Sequence, residues 1–165
     1  KINWIPVNLK EVIIIFLEKL TSIRITKIVR APKDFTFKWW TDLHSNDSKI
    51  VTPLKSRKII SKTKERIQVE DIVRILGLKM KFNATVRMYP PNKWVAEYKG
   101  KMATARSEYN LEESGEDTVI EYSTRIQAKG LIRIFMPLAK YGIKITFSSE
   151  MNKYNEQLIK DLQQK

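Results

Sequence analysis

The chain has 165 residues, 42% of them apolar and 30% charged, a balance that excludes disordered and collagen-like chains and suits one domain with a real core. It has no cysteine and one histidine, His44, so disulfides, thiolate nucleophiles, cysteine-held metals and a paired-histidine mechanism are excluded within the chain. The formal net charge of +13 attracts nucleic acid, anionic membranes and acidic ligands, or marks no more than a solvated basic surface.

The longest apolar run, Val12 to Leu17, falls far short of the roughly 18–20 residues that cross a bilayer. No secretory leader is read at the start, and a cysteine-free chain fits the cytoplasm. Residues 1–21 read as an N-terminal extension and 22–165 as a single domain, because no repeat or linker divides the rest. Asn8 can cap a short helix, with Val12, Ile13, Phe16, Leu17 and Leu20 at helical spacing. The Ile13-Ile14-Ile15 run keeps a strand open as the alternative.

Ser22 to Arg30 reads as a strand, with Ile23, Ile25 and Ile28 as its apolar residues. Ala31-Pro32 ends it, and Pro32 opens a helix over Lys33 to Leu43. His44 to Asp47 is a loop or the start of a second short helix. From Leu54 the period becomes two. Strands are expected over Lys55 to Thr63 and Arg66 to Ile75, with Leu76-Gly77 as the turn. Met80, Phe82, Ala84, Val86 and Met88 then alternate with polar residues, as a half-buried strand does. Three more strands follow, around the turns Pro90-Pro91-Asn92, Gly100 and Ser114 to Asp117. Gly130 to Leu138 is apolar and irregular around Pro137, which must kink a helix or sit in its first turn. Beyond it Ile143, Phe147, Met151, Tyr154, Leu158 and Leu162 form one helical stripe.

An α+β domain follows: a curved antiparallel sheet of six to seven strands around a long C-terminal helix. Two helices cannot fill its concave face, so an internal apolar cavity is expected. Ile28-Val29-Arg30-Ala31-Pro32, then Phe37, Trp39-Trp40 and Thr41-Asp42, resemble the opening of the START and polyketide cyclase/dehydrase superfamily. This is the helix-grip group that includes the birch-pollen allergens and coenzyme Q-binding proteins. Gly130-Leu131-Ile132-Arg133 with Pro137-Leu138 resembles that group's lead into its last helix, and the likeness spans about residues 22–163. It implies a helix-grip fold whose cavity holds a lipid, sterol, polyketide, quinone or plant hormone. Some members are cyclases or dehydratases, but no shared catalytic motif carries over to this chain.

Phe37, Trp40, Met80, Phe82, Val86, Trp94, Tyr98, Tyr109, Tyr122, Phe147 and Met151 are the candidate ligand-binding residues, each of which alone could equally be core. Tyr98, Tyr109, Tyr122, Ser107 and Thr124 would add polar groups on the inward face. Asp71, in register with Ile67, Val69, Val73 and Ile75, is the one weak catalytic candidate, unless a bulge returns it to water. Binding without chemistry is favoured over a cyclase or dehydratase, and over a basic adaptor for an anionic membrane surface or nucleic acid. The basic stretch Lys55, Arg57, Lys58, Lys62, Lys64 and Arg66 reads as a solvated outer face or a transient contact with an anionic membrane. No nucleic-acid motif accompanies it, so nucleic acid is not an expected partner. The Asn8–Leu20 segment would pack on the domain or a second copy, making a homodimer conceivable, or lie in a membrane interface. No cofactor or metal is expected, because no phosphate-cradling glycine loop, nucleophile elbow or ligand cluster is present.

Overall fold

The computed structural model describes residues 21–43, 45–75, 77–130 and 132–164, so the expected helix at Asn8 to Leu20 lies outside the described residues. Strand β1 (Thr21–Val29) leads to helix α1 (Lys33–Thr41) and a short 3-10 helix (Ser45–Lys49). Six strands follow: β2 (Leu54–Lys62), β3 (Arg66–Ile75), β4 (Leu78–Tyr89), β5 (Lys93–Gly100), β6 (Ala103–Ser114) and β7 (Asp117–Ala128). Helix α2 (Ile132–Gln163) closes the chain. The sheet has seven strands in the order β1-β7-β6-β5-β4-β3-β2, and every neighbouring pair is antiparallel. The expected fold class therefore holds.

Alternation builds this sheet. Along β7 the buried residues Thr118, Ile120, Tyr122 and Thr124 face the concave side, while Glu121 and Arg125 face water. Gly115, with φ +65, makes the β6–β7 turn in a backbone conformation that side chains rarely adopt. Gly100 pairs with Phe82, and an added Cβ there would lie 2.8 Å from the Phe82 ring, so only glycine lets that ring rest across β5.

Helix α1 has no side-chain N-cap. Its entrance is held instead by the fully buried Thr118, whose hydroxyl donates to the Ala31 carbonyl at 2.7 Å. The indole N–H of Trp39 donates to Asp161 at 2.7 Å, tying α1 to the far end of α2. Midway along α2, Glu150 accepts the Thr52 backbone N–H at 2.9 Å, and Lys153 donates to the Thr52 hydroxyl at 2.8 Å. Helix α2 is thus fastened to the turn before β2 as well as packed over β1 and β7.

Three expectations need correction. Ile28 is 66% exposed, because pairing opposite Val119 puts it on the outer face while Val29 turns inward. Pro137 does not sit in the first turn: α2 starts at Ile132 and runs through it, so the segment from Ile132 is helix rather than irregular. Proline's fixed φ is helical, and its missing N–H removes only one rung of the ladder. Arg57 is not an outer-face residue, for a reason that belongs to the site.

Candidate functional site in the concave face

The concave face is lined by large, closely packed side chains at one end and by smaller ones at the other. At the first end Ile67, Ile120 and Leu158 have no accessible surface. Aromatic rings pack there in contact with one another. Trp94 stacks on Tyr109 at 4.6 Å, Tyr109 meets Tyr122 at 4.8 Å, and Tyr122 stacks on Phe147 at 5.6 Å. Phe37 meets the Trp94 ring edge-on at 5.8 Å, and Trp40 lies 4.9 Å from Tyr154. The indole N–H of Trp40 is buried with no hydrogen-bond partner among the described residues.

Towards the other end the inward side chains shrink. Ala103, Ala105 and Ala128 stand beside Met80, Tyr98 and Ile126, and all six are only partly buried although they face inward, with Tyr98, Ile126 and Ala128 packed against the core. The first half of α2 roofs this region with Met136, Ala139 and Ile143, each buried. Tyr98 and Tyr109 combine accessible surface with strong desolvation, which raises both phenol pKa values.

Of the residues singled out from sequence, Phe37, Trp40, Val86, Trp94, Tyr122 and Met151 are buried in the core, with Tyr109 and Phe147 packed against it. Met80, Phe82 and Tyr98 stand together at the other end, Phe82 meeting Tyr98 edge-on at 6.5 Å. The structure therefore divides the candidates between a packed aromatic wall and a smaller group, Met80, Phe82 and Tyr98, at the end where Gly100 and the alanines lie.

Asp71 is 2% exposed and faces inward. Strand β3 pairs with β4 without interruption from Arg66 to Ile75, so no bulge turns Asp71 outward. The bulges are in β2, between Leu54 and Ser56 and between Ile59 and Ser61. The first of them reverses the outward setting expected for Arg57 and aims it at Asp71. The guanidinium makes a two-pronged pair, Nε to Oδ1 and Nη2 to Oδ2, each at 2.8 Å, while Nη1 reaches Asp47 on the 3-10 helix. Burial works against the Arg57 charge, but the Asp71 hydrogen bonds and charge, with Tyr98 and Asp47, outweigh it and raise its pKa. The remaining members of the basic stretch, Lys55, Lys58, Lys62, Lys64 and Arg66, are exposed as expected.

Sequence reasoning missed Arg57, Asp47 and the Glu150–Thr52 link. One signal was present for Arg57. Leu54 and Ile59 are both apolar but of opposite parity, and a strand with one buried face can hold both inward only across a bulge.

The phenols give a pH dependence. Desolvation raises the pKa of Tyr98, Tyr109, Tyr122 and Tyr154 above the ordinary 10.0. The fold keeps protons that the unfolded chain releases, so this stability is complete below about pH 10 and is lost as pH rises through the folded-state values. Phenolate absorbance from these four should appear only as the near-ultraviolet circular dichroism collapses. Their ionisation near pH 10 with the dichroism intact would contradict the burial assigned to them.

Among the described residues no group of His, Asp or Glu could hold a metal ion, and no helix is long and apolar enough to cross a membrane. No protein-family model and no curated protein matches the chain. Solved structures do. TTHA0849 from Thermus thermophilus superposes with a TM-score of 0.76 at 12% identity, over 85% of this chain and 98% of that one. The Zhui aromatase/cyclase from a Streptomyces species gives 0.72 at 11% identity, over 87% and 96%. A START superfamily protein from Mycobacterium smegmatis gives 0.68 at 16% identity, over 83% and 98%. The chain has the helix-grip fold of the START and aromatase/cyclase proteins, and at these identities the likeness is one of fold.

Proposed function

We propose that this protein binds a hydrophobic or lipid-like small molecule in the recess beneath the first half of α2, as a carrier or sensor that performs no chemistry on it. The observation that carries this reading is the set of small inward residues, Ala103, Ala105 and Ala128, beside the partly buried Tyr98. A core meant only to be solid would place larger side chains there. Met80 adapts to ligand shape, and the Tyr98 hydroxyl offers a donor that fixes orientation. An apolar guest that hides about 300 Å² from water gains roughly 7 kcal/mol before ordering costs. Release of the Glu150–Thr52 link, or movement of the segment between α1 and β2, would admit it. A cysteine-free carrier suits the reducing cytoplasm.

The Arg57–Asp71 pair beside Tyr98 favours a second reading, an enzyme of the cyclase or dehydratase type with Asp71 or Tyr98 moving a proton. Against it, Arg57 already engages both Asp71 oxygens. Native mass spectrometry and solvent extraction of freshly purified protein distinguish the two. The binding reading expects one apolar molecule per chain, returned unaltered. Conversion of an apolar polyketone that stops in Asp71→Asn would favour the enzyme. A chain that carries nothing and takes up no apolar compound would sink both.

A further inference from the structure

Helix α2 has two apolar faces over its first half. Met136, Ala139 and Ile143 are buried against the sheet, as the fold requires. On the opposite side Ile134, Tyr141 and Ile145 are 60%, 74% and 71% exposed, with Phe135 62% exposed beside them. Positions seven and four apart lie on one helix face, so these side chains form a stripe rather than a scatter. The stripe stops at Ile145. Further along the same helix the exposed positions are Ser149, Asn152, Lys153, Glu156, Lys160 and Gln163, the polar outer face of an ordinary packed helix.

Positive charge is denser at the same end of the molecule, although Lys62, Lys64 and Arg66 lie around the β2–β3 turn at the other. The chain between Ser123 and Ser149 contains Arg125, Lys129, Arg133, Lys140 and Lys144 and no acidic residue. Antiparallel pairing brings two more turns to this end. The β3–β4 turn carries Leu78, 49% exposed, with Lys79 beyond it, and the β5–β6 turn is flanked by Lys99 and Lys101. At the opposite end the β6–β7 turn holds Glu112, Glu113, Glu116 and Asp117.

From this juxtaposition we infer that the outer face of α2 from Ile134 to Ile145, with the Leu78 turn, docks on an anionic lipid bilayer. Aliphatic side chains at the tip of a cationic surface enter the headgroup boundary, and each nearby lysine or arginine adds about 1 kcal/mol at an anionic leaflet. A second copy suits the stripe less well, because face-to-face pairing would press Lys140 and Lys144 against their own counterparts. Nucleic acid suits it less well too, since Ile134, Ile145 and Leu78 have no flat face for a base. The docked helix is the one that roofs the recess, so the bilayer would meet the protein where an apolar guest comes and goes. Docking is read with vesicles alone, separately from uptake, and so stands or falls independently of the ligand.

The test is flotation of the full chain with phosphatidylcholine vesicles, with and without ~30% phosphatidylserine, at roughly 0.1 M salt. Binding is expected only with phosphatidylserine and should weaken as salt rises. Tyr141→Glu/Ile145→Glu, at exposed positions that leave the circular dichroism unchanged, should weaken it by about tenfold or more. Lys140→Glu/Lys144→Glu should weaken it as well. Undiminished binding of the first double variant would overturn the assignment, as would failure of the wild type to bind anionic vesicles. A self-association, or a binding to duplex DNA, that the Tyr141→Glu/Ile145→Glu variant abolishes while vesicles go unbound would give the face to that partner instead.

Discussion

Arg57→Met should lower the unfolding free energy by about 3–5 kcal/mol, a large share of what holds a domain of this size together. The loss comes less from the pair itself than from what the substitution leaves behind. Asp71, with 3% of its side chain exposed, and Asp47, with 12%, would keep buried charge after their shared cation had gone. Arg57→Lys should recover only part of this, because a lysine is a point charge and cannot reproduce the two parallel 2.8 Å bonds to Asp71. Replacing the pair together, as Arg57→Met/Asp71→Leu, should be much milder than Arg57→Met alone, since both charges leave at once. Urea unfolding of the three variants measures this. A loss below about 1 kcal/mol in Arg57→Met would mean that the triad is solvated and does not fasten β2 and the 3-10 helix to β3.

Phe82→Asp and Phe147→Asp should each reduce uptake of an apolar molecule by at least about a hundredfold, a change of roughly 2.7 kcal/mol in binding free energy. Phe82 lies where β4 crosses the open end of the sheet, and Phe147 faces it from α2 against Tyr122. A carboxylate at either place would put an unpaired charge on the wall the guest must cover, a cost of several kcal/mol with no partner to offset it. Phe82→Asp also sets a second acid opposite Asp71. Phe147→Asp lacks that complication, so loss of uptake in both variants separates a shared recess from a local charge clash. Retained uptake in both would place the guest elsewhere.

The architecture was legible because the strands obey a period of two with few interruptions. Met80 to Met88 shows its inward face in the bare sequence, and the stripe from Ile143 to Leu162 needs only one helical face to accept it. The aromatic candidates followed from the same register. Arg57 escaped because one inserted residue in β2 inverts the parity of everything after it, and Ile59-Ile60 supplies an apolar side chain for either register. Asp47 and Glu150 were hidden for a different reason. Asp47 meets Arg57, ten residues on, only because the 3-10 helix folds back towards β2, and Glu150 meets Thr52, 98 residues away, only where α2 crosses the turn before β2. The exposed stripe at Ile134, Tyr141 and Ile145 was obscured by Pro137, which made a continuous helix look broken. Periodicity reports which face a residue occupies. It does not report how much space remains between two faces, and the recess depends on small residues whose effect appears only when β5, β6 and β7 are side by side.

That space can be tested with a neutral fluorescent naphthylamine, which the protein's positive charge does not attract. The wild-type chain should bind it saturably, one per chain, with energy transfer from the tryptophans along the wall. Ala105→Phe, which puts a ring into the recess without adding charge, should keep the dichroism spectrum and lose the binding. Equal binding by Ala105→Phe and wild type, or no saturable binding by the wild type, would mean that the concave face has no room for a guest.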